Sequence, residues 1–289
     1  MIEVLDRHIQ IPASDGFLLA ATVLEPSKDP SIPMVIINSA TAVKRGYYLR
    51  FAQFLAQEGF RVVTFDYRGV GGSRPPSLKG FEAKMQHWAE KDTEGVFRWH
   101  EENFPSSPLF LVGHSFGGQA MALTPSRHRL RGALTVAAQS GYWRHWPAVS
   151  VPKVLFFWYV LIPITCRLWG YFPAKRLGIS EDLPAGVALQ WARWGRHPDY
   201  IRRDEVEAWQ EGFEDFDRPI LAYSFSDDFF APPRAASSIQ ACYSGATMTS
   251  RPRRPEDYGV AAIGHWGFFR EKFRDSLWTE SLTWLRSLA

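Results

Sequence analysis

Apolar and polar residues alternate with two different periods along the chain, and these periods predict its strands and helices. Near the start, two alternating apolar runs flank Asp15-Gly16, which predicts a β-hairpin. Apolar residues recur at helical spacing in residues 47–60, 85–104 and 275–288. Short continuous apolar runs predict buried strands, namely residues 34–37, 62–65, 109–112, 132–137 and 220–225.

The order of these elements predicts the fold class. Strands that alternate with helices are typical of an α/β protein, with a mostly parallel sheet and helices on both faces. The alternation stops in residues 142–215, which are rich in aromatic residues and prolines. We therefore expect a core formed by residues 1–141 and 216–289, with an inserted helical cap formed by residues 142–215. In such sheets, ligands bind at the carboxyl ends of the strands.

Composition excludes several classes of function. The net charge of +3 is too small to indicate a nucleic-acid partner. The two cysteines, Cys166 and Cys242, lack metal-type spacing, so neither a disulfide framework nor a zinc site is expected. The N-terminus does not resemble a secretion signal, which predicts a cytoplasmic protein. The aromatic share of 15% indicates a large apolar core, pocket or interface.

One uncharged stretch raises the question of a membrane span. It covers residues 154–166, and Pro163 interrupts it. A spanning helix needs roughly 20 apolar residues, so the sequence predicts a buried or pocket-lining helix and no span.

The motif Gly113-His114-Ser115-Phe116-Gly117 follows a predicted strand. A sharp turn from strand to helix would present Ser115 as a nucleophile, although the same pattern also occurs in ordinary loops. A serine nucleophile needs a histidine base and an acid that orients the base. His265 follows a glycine in a later loop, and Asp227 and Asp228 directly follow the strand 220–225. The two aspartates could instead cap a helix.

With these markers in the order Ser, Asp, His, the chain resembles the α/β-hydrolase superfamily, and most closely its bacterial serine hydrolases with a cap. The resemblance covers nearly all of the chain outside the inserted segment. Asp66-Tyr67-Arg68-Gly69 and the glycines after it match the family's turn after the fourth strand. Arg74-Pro75-Pro76 then prevents the helix that a dinucleotide-binding loop requires.

The resemblance implies a role for each site residue. Ser115 matches the nucleophile and His265 the general base. Asp228 has the family's spacing to Pro232, although Phe225 stands where glycine is usual, and Asp227 remains an alternative acid. Backbone N–H groups of Phe116 and of Ala40 or Thr41 would form the oxyanion hole; many relatives have His-Gly at the second position. His114 is expected to be structural.

The resemblance also implies a function. We expect a hydrolase of carboxylic esters or thioesters that acts through an acyl-enzyme on a small apolar substrate, without cofactor or metal. Trp143, Trp158 and Trp266 are the predicted substrate-pocket residues. Acyl transfer by the same acyl-enzyme and non-catalytic binding of apolar ligands are the alternatives. A homodimer is left open.

Overall fold

The computed structural model describes residues 3–204 and 207–289. Within this part of the chain, eight strands form one sheet in the order β1-β2-β4-β3-β5-β6-β9-β10. Strand β2 is antiparallel to β1 and β4, and the remaining pairs are parallel. The strands are β1 (Leu5–Pro12), β2 (Leu18–Glu25), β3 (Met34–Asn38), β4 (Arg61–Phe65), β5 (Leu109–His114), β6 (Leu130–Val136), β9 (Ile220–Phe225) and β10 (Met248–Arg253), while β7 (Tyr171–Phe172) and β8 (Leu183–Pro184) form a separate two-stranded sheet.

The central strands are apolar along their whole length because helices cover both faces of the sheet. Every residue of β3, β4, β5 and β9 is buried. The predicted hairpin, the five predicted buried strands and the α/β fold class are therefore confirmed. The helices are α1 (Leu49–Gln57), α2 (Glu94–Asn103), α3 (Phe116–Ala120), α4 (Val151–Phe156), α5 (Ile162–Trp169), α6 (Ala185–Gly195), α7 (Glu207–Glu214), α8 (Pro233–Gln240) and α9 (Thr279–Arg286).

The sequence pattern missed strand β10 at the edge of the sheet. Its residues are mostly polar and only partly buried, so it lacks an apolar signature. It pairs in parallel with β9. Arg251 and Arg253 of this strand both contact Glu280 on α9, at 3.1 and 2.7 Å.

Pro163 does not interrupt the apolar stretch as the sequence analysis predicted. A continuous helix runs from Ala148 to Trp169 and includes α4, a π-helical turn (Phe157–Leu161) and α5. The π turn immediately before Pro163 relaxes the regular hydrogen-bond ladder, which accommodates the missing proline N–H. This helix is long and apolar enough to cross a membrane when judged by length and composition alone.

The inserted segment, residues 142–215, contacts loops at the carboxyl edge of the sheet. The Glu181 N–H donates to the Ala42 carbonyl at 3.1 Å, in the loop after β3. Trp146 Nε1 donates to the Phe229 carbonyl at 2.8 Å, in the loop after β9. The loops that follow the sheet strands therefore lie next to this segment. Its division from the core as a separate unit stays a prediction.

Candidate active site

Ser115 occupies a strained turn between β5 and α3. Its backbone has φ +53° and ψ −118°, a region that non-glycine residues rarely adopt. A Cβ atom on Gly117 would lie 2.3 Å from the Asn38 carbonyl oxygen, and one on Gly113 would lie 2.5 Å from the Gly118 Cα. Both flanking glycines are thus required by the close approach of neighbouring backbone, as the motif predicted.

Asp228 and His265 form a buried pair across two loops. His265 Nδ1 lies 2.7 Å from Asp228 Oδ2. The other carboxylate oxygen of Asp228 accepts the N–H groups of Phe230 and Ala231, at 2.8 and 2.9 Å. An ionised Asp228 accepts from a protonated Nδ1, which leaves Nε2 of the neutral imidazole as a proton acceptor.

Asp227 points to the backbone of the histidine loop. Its Oδ2 atom accepts the N–H groups of Ile263 and Gly264, at 2.9 and 3.0 Å. These residues directly precede His265. Of the two adjacent carboxylates, Asp228 contacts the imidazole ring while Asp227 fixes the loop that carries it.

The hydroxyl of Ser115 contacts Gln139, a residue that the sequence analysis did not single out. Gln139 Nε2 donates to Ser115 Oγ at 3.2 Å. Gln119 Nε2 in turn donates to the Gln139 carbonyl at 2.5 Å, which anchors that residue. Ser115 and His265 are each 5% exposed. The nucleophile candidate and the candidate base are therefore both buried.

His114 joins the histidine loop to the loop after β3. Its Nε2 donates to the His265 carbonyl at 2.8 Å, so its Nδ1 accepts from the Tyr48 hydroxyl at 2.9 Å. Burial holds the pKa of His114 well below its usual range, which keeps the ring neutral. Burial also raises the pKa of Tyr48 well above its usual range, so its hydroxyl stays protonated.

The same contacts bear on the predicted oxyanion donors. The Ala40 N–H donates to the Tyr48 hydroxyl at 2.8 Å, so it is already engaged. Thr41 follows Ala40 in the same loop and is partly buried. Phe116 follows the serine, and its ring packs against Trp88. The engaged N–H of Ala40 counts against it as a donor, and the roles of Phe116 and Thr41 stay predictions.

The three predicted pocket residues lie in different surroundings. The Trp266 ring lies 4.9 Å from the His265 ring, and the Phe230 ring lies 5.4 Å from it, between centroids. Trp158 is 3% exposed and packs against Trp191 inside the inserted segment. Trp143 is partly buried beside Tyr142. Trp266 thus lies next to His265 and Trp158 packs against Trp191, while the substrate-pocket roles of all three residues stay predictions.

A signal for Gln139 was present in the sequence, since it lies two residues after the predicted strand 132–137 and so falls at the carboxyl edge of the sheet. Tyr48 had no such signal. It belongs to an apolar helical pattern, and only the folded chain brings its hydroxyl to His114.

Comparison with known proteins gives the same fold. A family model described as serine aminopeptidase, S33, matches residues 30–171, just under half of the chain. Lysophosphatidylserine lipase ABHD12 of Danio rerio is 31% identical over 96 residues, which are 32% of this chain and 23% of that protein. The match to the Rattus norvegicus lipase of the same name is 32% over 88 residues, covering 29% and 20% of the two chains. The chain thus matches less than a quarter of these relatives' length.

Solved structures align with nearly the whole chain. A soluble variant of monoglyceride lipase from Saccharomyces cerevisiae aligns with a TM-score of 0.67 and 15% identity, over 100% of this chain and 95% of that one. An esterase from Exiguobacterium antarcticum aligns with a TM-score of 0.63 and 18% identity, over 97% and 100%. At these identities the alignments show the fold. The chain therefore has the α/β-hydrolase fold and is similar to ester-hydrolysing enzymes that share it.

Proposed function

We propose that this protein hydrolyses carboxylic esters that carry an apolar acyl group, through an acyl-enzyme on Ser115. The observation that carries the proposal is the 2.7 Å pair of His265 and Asp228, which contacts His114, the residue before a serine held at positive φ. An activated serine needs a base within reach and an acid that orients the base. Ester and thioester substrates remain equivalent for this chemistry.

In the proposed first step, Ser115 Oγ leaves Gln139 and turns to His265 Nε2, which takes its proton. Oγ bonds to the carbonyl carbon of the substrate, and the negative charge forms on the carbonyl oxygen. The N–H groups of Phe116 and Thr41 would stabilise that charge because they are fixed before the reaction. His265 then gives the proton to the leaving alcohol as its bond to carbon breaks.

In the second step, water attacks the acyl-enzyme and gives a proton to His265 Nε2. The carbon–Oγ bond breaks, the proton returns to Ser115, and the carboxylic acid leaves. Asp228 stays ionised throughout and stabilises the imidazolium that forms twice in the cycle. Asp227 would contribute by accepting the N–H groups of Ile263 and Gly264, which fixes the backbone just before His265.

The surroundings of His265 favour an apolar acyl group. The rings of Trp266 and Phe230 flank the imidazole, and apolar walls of this kind favour hydrocarbon over charged groups. The similar proteins named above are lipases and esterases, which supports the same substrate class. We therefore propose apolar acyl esters, with the alcohol group unassigned.

A serine-reactive fluorophosphonate tests the nucleophile. We expect the probe to label Ser115, and Ser115→Ala to abolish both labelling and ester hydrolysis. Ser237→Ala, at an exposed serine on α8, is the matched control and should keep both. Unchanged labelling of Ser115→Ala would contradict the proposal, because the probe would then react at another residue. No labelling of the wild type would contradict it too and would favour a non-catalytic binder.

The burial of Ser115 and His265 favours acyl transfer as a second candidate. A site that excludes water slows hydrolysis of the acyl-enzyme and so gives an alcohol acceptor more time to react. Adding a short alcohol to the ester assay separates the two. Accumulation of the new ester in place of the acid would identify a transferase, and an unchanged yield of acid a hydrolase.

A further inference from the structure

The helix Ala148–Trp169 has two apolar sides, and only one of them is covered. Its covered side consists of residues four positions apart that pack into the inserted segment: Val154, Trp158, Ile162 and Cys166. The opposite side, which we call the outer face, consists of Val149, Lys153, Phe156, Val160, Ile164 and Leu168, spaced three or four residues apart. Its apolar residues include Phe156, Ile164 and Leu168, which are 53%, 52% and 69% exposed.

The outer face continues to the rim of the candidate active site. Lys153 Nζ lies 4.9 Å from the ring centroid of Phe229, which is 41% exposed. Phe229 packs edge-on against Phe230 at 5.4 Å, and Phe230 in turn lies beside His265. An apolar path on the surface therefore connects the helix to the loop that carries Asp228.

The charge around the outer face is positive. Lys153 and Arg167 are both exposed on this helix, which has no acidic residue. Over the whole inserted segment, residues 142–215, nine lysines and arginines balance nine acids, so the positive charge next to the outer face comes from Lys153 and Arg167 of the helix. A basic, aromatic-rich helix with an apolar side suits the boundary of an anionic bilayer.

We propose that the outer face docks on an anionic lipid surface, with the helix lying in the plane of the interface. A spanning orientation would strip Trp158 and its neighbours from the packing that holds them against Trp191. A second copy of the chain would bring Lys153 and Arg167 of one molecule toward those of the other, which like-charge repulsion opposes. An anionic lipid surface meets both the apolar and the cationic residues.

Docking would place the rim residues Phe229 and Phe230 against the same surface. An apolar ester dissolved in the lipid could then reach Ser115 without crossing water. This consequence rests on the proposed function, but the docking itself does not. The test is therefore designed to measure binding apart from hydrolysis.

Co-sedimentation with vesicles of ether-linked phospholipids, which contain no ester bond, tests the docking. The full chain should bind vesicles that contain diether phosphatidylglycerol, and added salt or pure diether phosphatidylcholine should weaken binding. Phe156→Ser/Ile164→Ser/Leu168→Ser should reduce the affinity by roughly 100-fold. Leu5→Ser/Leu18→Ser, at the comparably exposed Leu5 and Leu18 on the first hairpin, is the matched control and should bind like the wild type.

The charges are tested separately. Lys153→Gln/Arg167→Gln should reduce affinity for anionic vesicles by about 20-fold, since each cation near such a surface contributes about fivefold. Lys28→Gln/Arg131→Gln removes one exposed lysine and one exposed arginine elsewhere and should have little effect. A soluble short-chain ester, hydrolysed at wild-type rate by every variant, shows that the fold is intact.

Three results would overturn the proposal. The first is that the wild type does not bind anionic vesicles. The second is that the hairpin control loses as much vesicle affinity as the triple serine variant. The third is that the wild type forms a dimer without lipid and the triple serine variant is a monomer. The last result would assign the outer face to a second copy of this chain. Loss of hydrolysis together with intact vesicle binding would refute the proposed function and leave the docking proposal standing.

Discussion

The loops at the carboxyl edge of the sheet bury polar side chains, whereas the helix of the inserted segment exposes apolar ones. At the sheet edge, buried polar groups such as Asp228, His114 and Tyr48 each contact a named partner at 2.7–2.9 Å. On the helix, large apolar residues such as Phe156 and Leu168 are exposed. Buried polar groups are costly unless they are paired, so their pairing fixes one geometry. The difference supports the proposed chemistry at the sheet edge and the proposed access of substrate along the inserted segment.

The largest expected effect separates the two adjacent carboxylates of the core. Asp228→Asn should reduce kcat/KM of ester hydrolysis by about 10⁴-fold, because the amide disturbs the histidine tautomer, as in the serine-protease case. Asp227→Asn should lower kcat/KM only about tenfold, since the remaining side-chain carbonyl oxygen can still accept the N–H groups of Ile263 and Gly264. Steady-state kinetics on folded variants checks this. A greater loss in Asp227→Asn would shift the acid assignment by one residue.

A second substitution tests the packing role of Trp158 in the insert. The sequence analysis assigned Trp158 to the substrate pocket, and in that role Trp158→Ala would move the preferred acyl length toward longer chains. Its burial against Trp191 instead predicts a loss of about 3–5 kcal/mol in the free energy of unfolding, from the cavity left behind. Trp169→Ala, at an exposed tryptophan on the same helix, should change the free energy of unfolding by less than about 0.5 kcal/mol. Denaturant titration measures both.

The acyl-length profile is better tested at the rim, with Phe230→Ala and Trp266→Ala. Each truncation beside His265 should move the optimal acyl length upward, since a pocket discriminates by about 1–3 kcal/mol per methylene. The measurement is kcat/KM across a series of esters. A flat profile in the wild type and in both variants would remove these residues from the substrate site.

A smaller effect is expected for the buried hydrogen bonds behind His265. Tyr48→Phe removes the donor to His114 and the acceptor for the Ala40 N–H. We expect kcat to fall about tenfold with KM little changed. Each lost hydrogen bond contributes about 1 kcal/mol net, and the two together hold the backbone of His265 and Ala40 in place. Tyr159→Phe, on the exposed side of the helix, should leave kcat unchanged. Equal values for the two variants would make Tyr48 a packing residue only.

The smallest effect concerns stability at acidic pH. Burial lowers the pKa of His114 well below 6.5 in the folded protein, so below that pH the unfolded chain binds a proton that the folded chain excludes. Stability should therefore fall with decreasing pH, by up to about 1.4 kcal/mol per pH unit from this residue. His114→Gln, which can still donate to the His265 carbonyl, should show a shallower fall. Parallel curves for the two proteins would contradict this account.

The sequence by itself determined most strands of the sheet, and it identified Ser115 and His265 as the candidate nucleophile and base and Asp227 and Asp228 as the candidate acids. Continuous apolar runs of strand length can be buried only within a covered sheet, and the glycines around Ser115 encode a turn that no larger residue allows. These signals are local, because each lies within a few neighbouring residues. The inserted segment was predicted from the loss of alternation alone, and its division from the core stays a prediction.

The tertiary structure decided which group meets which. Asp227 and Asp228 differ by one position, and only the course of the loop after β9 directs one to His265 and the other to the backbone before it. Gln139 and Tyr48 joined the site across 24 and 66 residues of sequence, to Ser115 and His114 respectively. The exposure of one side of the apolar helix was equally hidden, because apolar residues on every side predict burial until the packing shows which side is covered.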